Sequence, residues 1–92
     1  MATVVFTRFA RQALVSIGLY IAQTDEEAAF RFVADLERRV TETLGTFPEG
    51  GARVQAGLRS LTIRRYTAVY RYDAGTDVVF VLDIVGTGRN WR

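Results

Sequence analysis

The sequence predicts an α+β fold in which an N-terminal helical hairpin packs on one face of an antiparallel sheet, in the order β-α-α-β-β-β. Apolar residues at helical spacing dominate the first half of the chain, and short runs of β-branched and aromatic residues dominate the second half. Very few residues separate the two helical segments, so the helices are expected to lie antiparallel. The chain has 92 residues, the length of one small domain, and we expect a single domain over residues 1–92.

The chain opens with a short run of β-branched and aromatic residues, which predicts a strand over Thr3–Thr7. Apolar residues then recur at intervals of three and four positions, which predicts a first helix over Arg8–Gln23. Gly18 lies inside this helix, where glycine costs about 1 kcal/mol relative to alanine. We therefore expect Gly18 to pack closely against a neighbouring element.

A second helix is predicted to begin at Thr24, because Thr24 and Glu27 have the spacing of a capping box. Gly45 is expected to end this helix, and Pro48 prevents it from resuming. The following segment, Glu49–Gly57, contains three glycines and shows no periodicity. It is therefore predicted to be a loop that crosses from the helical hairpin to the sheet.

Three consecutive strands complete the predicted sheet, over Leu58–Ile63, Tyr66–Tyr72 and Val78–Val85. The last of these is apolar on both faces except at Asp83, which predicts a central strand. An unpaired buried carboxylate is costly. We therefore expect Asp83 to form an ion pair with Arg59 or Arg71 rather than to act as a catalytic acid.

The composition excludes several classes of catalytic site. The chain contains no Cys and no His, and all 12 of its basic residues are Arg. Nucleophile pairs that depend on His, zinc sites built from Cys and His, and catalytic lysines are therefore excluded. We expect no metal site and no cofactor. The chain also shows no signal peptide and no apolar run long enough to span a membrane, so we expect a cytoplasmic protein.

Positive charge is concentrated in the second half of the chain. Residues 1–50 carry five Arg and seven acidic residues, for a net charge of −2, whereas residues 51–92 carry seven Arg and three acidic residues, for +4. Arginines and aromatic residues also alternate in this half, a mixture that holds phosphates, bases or acidic peptides. The pattern predicts an anionic partner, either nucleic acid or an acidic protein segment. A solvated arginine-rich face without a dedicated partner is the simpler alternative.

Several short segments occur in a characteristic order along nearly the whole chain. They are Leu19–Ala22, Ala28–Val33, Leu44 with Phe47-Pro48, Gly57–Leu61, Arg65-Tyr66, Val69–Tyr72 and Gly88–Trp91. In this order and spacing they resemble the ParE branch of the RelE/ParE toxin superfamily. The resemblance implies a bacterial type II toxin that is neutralised in a hetero-oligomer by a cognate ParD-like antitoxin, whose C-terminal segment wraps around the toxin.

The resemblance implies one of two activities. RelE-like members are ribosome-dependent mRNA endonucleases that use Lys and Arg on the sheet and an aromatic acid/base near the C-terminus, whereas ParE-like members inhibit DNA gyrase and are not nucleases. This sequence has no Lys, carries Thr67 where the nucleases carry an important Arg, and ends at Arg92, before the position of a catalytic Tyr. The resemblance therefore implies a non-enzymatic gyrase inhibitor. A RelE-like endonuclease and a toxin-like binding module without activity are the alternatives.

Two surfaces follow from these expectations. DNA gyrase is the expected target, and the target-binding residues are predicted on the basic sheet and the C-terminal segment: Arg59, Arg64, Arg65, Arg71, Arg89 and Trp91. A groove between the helices and the sheet, beside an exposed sheet edge, is expected to accept an amphipathic antitoxin helix followed by an added strand. The antitoxin-binding residues are predicted to be Leu14, Ile17, Tyr20, Tyr66 and Tyr70. No membrane partner and no sequence-specific DNA binding by the toxin alone are expected.

Overall fold

Two helices and five strands make up the described part of the chain. The structure, a computed structural model, describes residues 1–55 and 57–86. The elements are β1 (Thr3–Phe6), α1 (Arg8–Ala22), α2 (Glu26–Thr46), β2 (Ala52–Gln55), β3 (Leu58–Ile63), β4 (Tyr66–Asp73) and β5 (Val78–Gly86). The predicted α+β class, the helical hairpin and the three predicted C-terminal strands are confirmed.

The strands form one mixed sheet in the order β1-β5-β4-β3-β2. The pairs β2–β3, β3–β4 and β4–β5 are antiparallel, whereas β1 pairs with β5 in parallel. The sheet is therefore mostly antiparallel, as predicted, and among the described strands β1 is the parallel exception. Strand β5 lies between β1 and β4, as its apolar composition predicted.

Both helices cover the same face of the sheet, which we call the helix-facing side; the other face is the open side. From β4 and β5, Tyr70, Val79 and Val81 point towards the helices and are fully buried. They pack against a stripe of apolar residues from α1 and α2: Ala10, Leu14, Ile17, Leu36, Val40 and Leu44. Gly18 permits the two helices to approach, since a Cβ at this position would lie 3.3 Å from Cγ2 of Val33, as predicted.

The predicted boundaries of α2 are wrong at both ends. Asp25 caps the helix by accepting a hydrogen bond from the Ala28 N–H at 3.0 Å, whereas the Thr24 hydroxyl donates to the carbonyl of Ile21 at the end of α1. Gly45 does not end the helix but lies inside its last turn, where its carbonyl accepts a hydrogen bond from the Ala2 N–H at 2.8 Å. Burial against the N-terminus therefore outweighs the tendency of glycine to end a helix.

The predicted Glu49–Gly57 loop contains an additional strand, β2. It pairs with β3 through Ala52 opposite Ser60 and Arg53 opposite Arg59. All four residues of β2 are exposed, so backbone hydrogen bonds rather than apolar burial define it. An edge strand of this kind lacks the hydrophobic alternation by which a strand is recognised in a sequence.

Candidate functional site

The predicted target-binding residues do not form one surface. Arg59 lies at the start of β3, and Arg64 and Arg65 form the turn between β3 and β4. Arg64 follows Arg59 by five positions along the strand, a distance of about 16 Å at the usual rise per residue. Arg71 lies on the open side, opposite Phe80 of β5. Arg89 and Trp91 lie outside the described residues.

Arg59 supports the backbone at the entrance to β2. Its guanidinium donates hydrogen bonds to the carbonyls of Glu49 at 3.1 Å and Gly51 at 3.0 Å, and 20% of its side chain is exposed. The Gly51 N–H donates to the hydroxyl of Tyr70 at 2.9 Å. A Cβ on Gly51 would lie 2.6 Å from the carbonyl oxygen of Ser60, so only glycine fits there. Arg59 is thus engaged in holding residues 49–51 to the sheet.

The open side carries Arg71 in a different environment. Its guanidinium lies 5.0 Å from the ring centroid of Phe80, a cation–π contact that still leaves the residue exposed. On the neighbouring strands, the hydroxyls of Thr62 and Thr67 are 2.9 Å apart and share a hydrogen bond. The position where the nuclease pattern carries an arginine is therefore occupied by a neutral, internally bonded hydroxyl.

The expected ion pair of Asp83 is not formed with either arginine. Asp83 is paired with Val69 on the open side, whereas Arg59 is paired with Tyr70 and points to the other face. Arg71 shares the face of Asp83 but stacks on the Phe80 ring. The register shifts between Val69 and Tyr70, and beside this bulge the Asp83 carboxylate accepts a hydrogen bond from the Ile84 N–H at 2.8 Å. A backbone donor thus replaces the expected guanidinium.

A basic cleft lies at the end of the molecule where the helical hairpin turns. It has a volume of about 420 Å³. Its lining, which defines the name basic cleft below, is Ile21, Ala28, Phe32, Arg64, Arg65 and Tyr66. The rings of Phe32 and Tyr66 form its apolar floor, with centroids 5.5 Å apart and a tilt of 54°. The cleft therefore combines an apolar floor with two guanidinium groups.

Arg64 is fixed in position within the basic cleft. Its guanidinium lies 3.1 Å from Oδ2 of Asp35 and 5.7 Å from the ring centroid of Phe32. Its backbone adopts a φ of 58°, in the left-handed region that side chains other than Gly, Asn and Asp rarely occupy. Arg64 is the first residue of the two-residue loop between Ile63 and Tyr66, and the favoured hairpin turns of this length require a positive φ at that position.

Asp35 is shared among several guanidinium groups. It accepts hydrogen bonds from Arg39 and Arg38 in addition to its contact with Arg64. The hydrogen bonds from Arg39 and then Arg38 hold the pKa of the Asp35 carboxyl below its ordinary value. One carboxylate thus faces three arginines, and the described residues place no carboxylate within ion-pair distance of Arg65. The surroundings of the basic cleft carry an excess of positive charge.

The predicted antitoxin-binding residues divide into two groups. Leu14, Ile17 and Tyr70 are 3%, 9% and 0% exposed and belong to the core. Core side chains fill the space between the helices and the sheet where a groove was expected. These three residues therefore pack inside the toxin and do not face a partner. Tyr20 is 67% exposed on the surface of α1, and Tyr66 is half-buried in the basic cleft.

An apolar surface lies on the outer side of α1, and of its residues the sequence reasoning named only Tyr20. Phe9, Val15, Leu19 and Tyr20 are 64%, 61%, 66% and 67% exposed, and we call them the outer band. A helix that carries large apolar side chains on both its core and solvent sides is typical of one that a partner covers. The sequence signal was present, because these residues fall outside the stripe that packs on the sheet.

The described residues show neither a metal site nor a membrane-spanning helix. Within residues 1–55 and 57–86, no three His, Cys, Asp or Glu side chains come together as a group that could hold a metal ion. Over the same residues, neither helix is long and apolar enough to cross a membrane.

The fold is similar to solved toxin–antitoxin structures. The chromosomal ParDE system from P. aeruginosa aligns with a TM-score of 0.78 and 24% identity over 95% of this chain and 97% of that chain. The RelBE2 complex from Mycobacterium tuberculosis aligns with a TM-score of 0.74 and 24% identity over 92% and 96% of the two chains. The intact E. coli RelBE complex gives 0.63 and 18% over 98% and 100%. At these identities the likeness shows a common fold.

The family is shown by a sequence model. The model of the ParE toxin of type II toxin–antitoxin systems (parDE) matches residues 4–91. This match includes both helices and β2 to β5. No curated protein matches the chain. The family resemblance expected from the sequence is confirmed, and the chain belongs to the ParE toxin family of type II toxin–antitoxin systems.

Proposed function

We propose that this toxin inhibits DNA gyrase by binding to it and that a ParD-like antitoxin holds it inactive in a hetero-oligomer. The observation that carries the proposal is the ParE family match over residues 4–91. The proposed function requires no cofactor and no membrane partner, and it places the toxin in the cytoplasm with its target.

Inhibition by binding is favoured over RNA cleavage by the chemistry of the side chains. Cleavage of a phosphodiester bond needs a proton donor and acceptor and cations that stabilise the transition state. The chain has no His, and all of its basic residues are Arg. On the open side, the paired hydroxyls of Thr62 and Thr67 occupy the region where an additional cation would be needed.

Ribosome-dependent mRNA cleavage remains the second candidate, because the fold is shared with two RelBE complexes. A likeness of fold does not transfer an activity. The two candidates differ in their target, and one pair of assays separates them.

The antitoxin is proposed to cover the outer band with an amphipathic helix. Its apolar face would remove Phe9, Val15, Leu19 and Tyr20 from water, and burial of exposed apolar area is the main driving force of such a contact. The similar solved structures are themselves toxin–antitoxin assemblies. The exposed edge of β2 offers backbone groups to which an extended segment of the antitoxin can add as a strand.

The surface proposed to bind gyrase is Arg71 on the open side, with Arg89 and Trp91 from outside the described residues. Arg59 is excluded from this surface, because its guanidinium is occupied by the carbonyls of Glu49 and Gly51. An exposed arginine that stacks on an aromatic ring retains donors for an anionic or carbonyl partner.

The test compares gyrase with the ribosome. Purified toxin is added to gyrase and relaxed plasmid with ATP, and in parallel to a translation reaction containing a defined mRNA. Lost supercoiling or linearised plasmid, with intact mRNA, is the expected result. Cuts in the mRNA at codon positions, with normal supercoiling, would support the second candidate and refute gyrase inhibition.

A further inference from the structure

The basic cleft is distinct from the outer band and lies away from Arg71. Arg64 and Arg65 line it at the β3–β4 turn, and Phe32 and Tyr66 form its floor. Arg71 lies on the opposite face of the sheet. The cleft is therefore considered separately from these two surfaces.

The charge in the basic cleft favours an anionic group. Asp35, which pairs with Arg64 of the cleft, is already shared by Arg38, Arg39 and Arg64. Arg65 is exposed and has no carboxylate within ion-pair distance among residues 1–55 and 57–86. A carboxylate entering the cleft would meet guanidinium donors in the planar geometry that such groups recognise.

Arg64 is paired with Asp35 but retains donors that a ligand can reach. Its side chain is 50% exposed, whereas that of Arg59 is 20% exposed. The Asp35 carboxylate and the Phe32 ring fix its guanidinium at the cleft wall. A fixed donor loses little side-chain entropy when it binds a ligand.

The size and floor of the basic cleft favour a peptide over a nucleic acid. The cleft is a depression of about 420 Å³ that is largely open to solvent, which is room for one side chain. A nucleic acid backbone contacts rows of outward-pointing cations, whereas this cleft has two arginines above a floor formed by Phe32 and Tyr66. Such a site fits an apolar side chain with a carboxylate beside it.

We infer that the basic cleft binds an acidic segment of the antitoxin, with an apolar side chain inserted on Phe32 and Tyr66 and an adjacent Asp or Glu bound by Arg64 and Arg65. The inference rests on the proposed antitoxin partner. It adds a second contact, at the hairpin end, to the helix proposed for the outer band. Two linked contacts raise the affinity of the complex more than either contact alone.

Two variants test the charge and the floor of the basic cleft separately. Arg65→Glu reverses an exposed charge without removing any contact within the described residues. Ala28→Leu fills the cleft with a larger apolar side chain. Leucine has a helix propensity close to that of alanine, and the hydrogen bond from the backbone N–H of residue 28 to Asp25 is retained. Arg71→Glu is the matched control for antitoxin binding, since it makes the same change of charge on the open side of the sheet, away from the basic cleft and the outer band and two strands from the edge of β2.

The measurement is the affinity of each full-length toxin for the antitoxin encoded beside its gene, by isothermal titration calorimetry, with circular dichroism to verify folding. Arg65→Glu is expected to weaken binding by about 10- to 100-fold, the loss of a charge-assisted contact plus repulsion. Ala28→Leu is expected to weaken it by about tenfold or more, because it excludes the apolar anchor. Arg71→Glu should keep an affinity for the antitoxin within about threefold of wild type.

Three results would overturn the inference. Wild-type affinity in both cleft variants would exclude the cleft from the interface. A loss in Arg65→Glu that Ala28→Leu does not share would show an effect of surface charge alone. Binding of a short single-stranded DNA to the wild type, abolished by Arg65→Glu while antitoxin binding is unchanged, would assign the cleft to nucleic acid. Failure of the wild type itself to bind the antitoxin would instead refute the proposed function.

Discussion

Tyr70→Phe removes one buried hydroxyl oxygen. It tests the hydrogen bond between Tyr70 and Gly51, which holds the segment before β2 to the sheet. The tyrosine is 0% exposed, and its hydroxyl accepts a hydrogen bond from the buried Gly51 N–H at 2.9 Å. Without this acceptor the N–H has no partner, which lowers the free energy of unfolding by about 1–3 kcal/mol. Because each 1 kcal/mol lowers the Tm of a domain of this size by roughly 4–8 °C, we expect a fall of at least about 4 °C.

The assay is urea unfolding followed by circular dichroism, together with a thermal melt. Tyr72→Phe is the matched control, since it removes a hydroxyl from the same side of the same strand. The Tyr72 hydroxyl donates to Oδ1 of Asp77 at 2.7 Å in an exposed setting, so the control is expected to change the free energy of unfolding by less than about 0.5 kcal/mol. Equal stabilities of the two variants would refute the reasoning, because the buried bond would then contribute no more than the exposed one.

Three further predictions concern other residues of the described chain. Arg59→Ala is expected to lower the free energy of unfolding by about 1–2 kcal/mol in urea, because two backbone carbonyls lose their donor, while gyrase inhibition per folded molecule is unchanged. Lost inhibition at wild-type stability would instead place Arg59 on the target surface. Leu19→Asp, in the outer band, is expected to weaken antitoxin binding by about tenfold or more in calorimetry. It should change the free energy of unfolding by less than about 0.5 kcal/mol. Undiminished affinity would contradict a partner on this face. Asp35→Asn tests a carboxylate whose pKa is lowered by hydrogen bonds from Arg39 and Arg38. The stabilisation from such a group is present above the pKa that it has in the unfolded chain, and it is lost as the pH falls through the lower pKa of the folded protein. The difference in Tm between the wild type and Asp35→Asn is therefore expected to shrink below about pH 4. A difference in Tm between the two proteins that stays constant down to acid pH would show that Asp35 does not contribute through its charge.

The order of the helices and of strands β3 to β5 was predictable, because the spacing of apolar residues in a sequence indicates which side of an element is buried. The apolar stripes of both helices and the runs that form β3, β4 and β5 face one core, and each was recognised in the sequence. Strand β2 was not recognised, because its exposed residues carry no such pattern. The end of α2 was misplaced because the contact of Gly45 with Ala2 is tertiary and leaves no local signal.

The site was less predictable, for two physical reasons. Apolar residues at helical spacing usually form the buried face of a helix. Leu14 and Ile17 are therefore buried and cannot contact a partner, whereas the neighbouring Val15 and Leu19 are exposed and can. Neighbours in a hairpin also alternate between faces, so arginines that cluster in sequence separate in space. The basic cleft unites residues far apart in the chain, from Ile21 to Tyr66, which sequence spacing alone does not bring together.

The central claim, inhibition of gyrase by a ParE family toxin, is tested most directly by titration of the purified chain into a gyrase supercoiling reaction. The account predicts that supercoiling falls as toxin is added and that an equimolar amount of the antitoxin restores it. Undiminished supercoiling at toxin in excess over gyrase, from a folded protein that still binds its antitoxin, would contradict the claim.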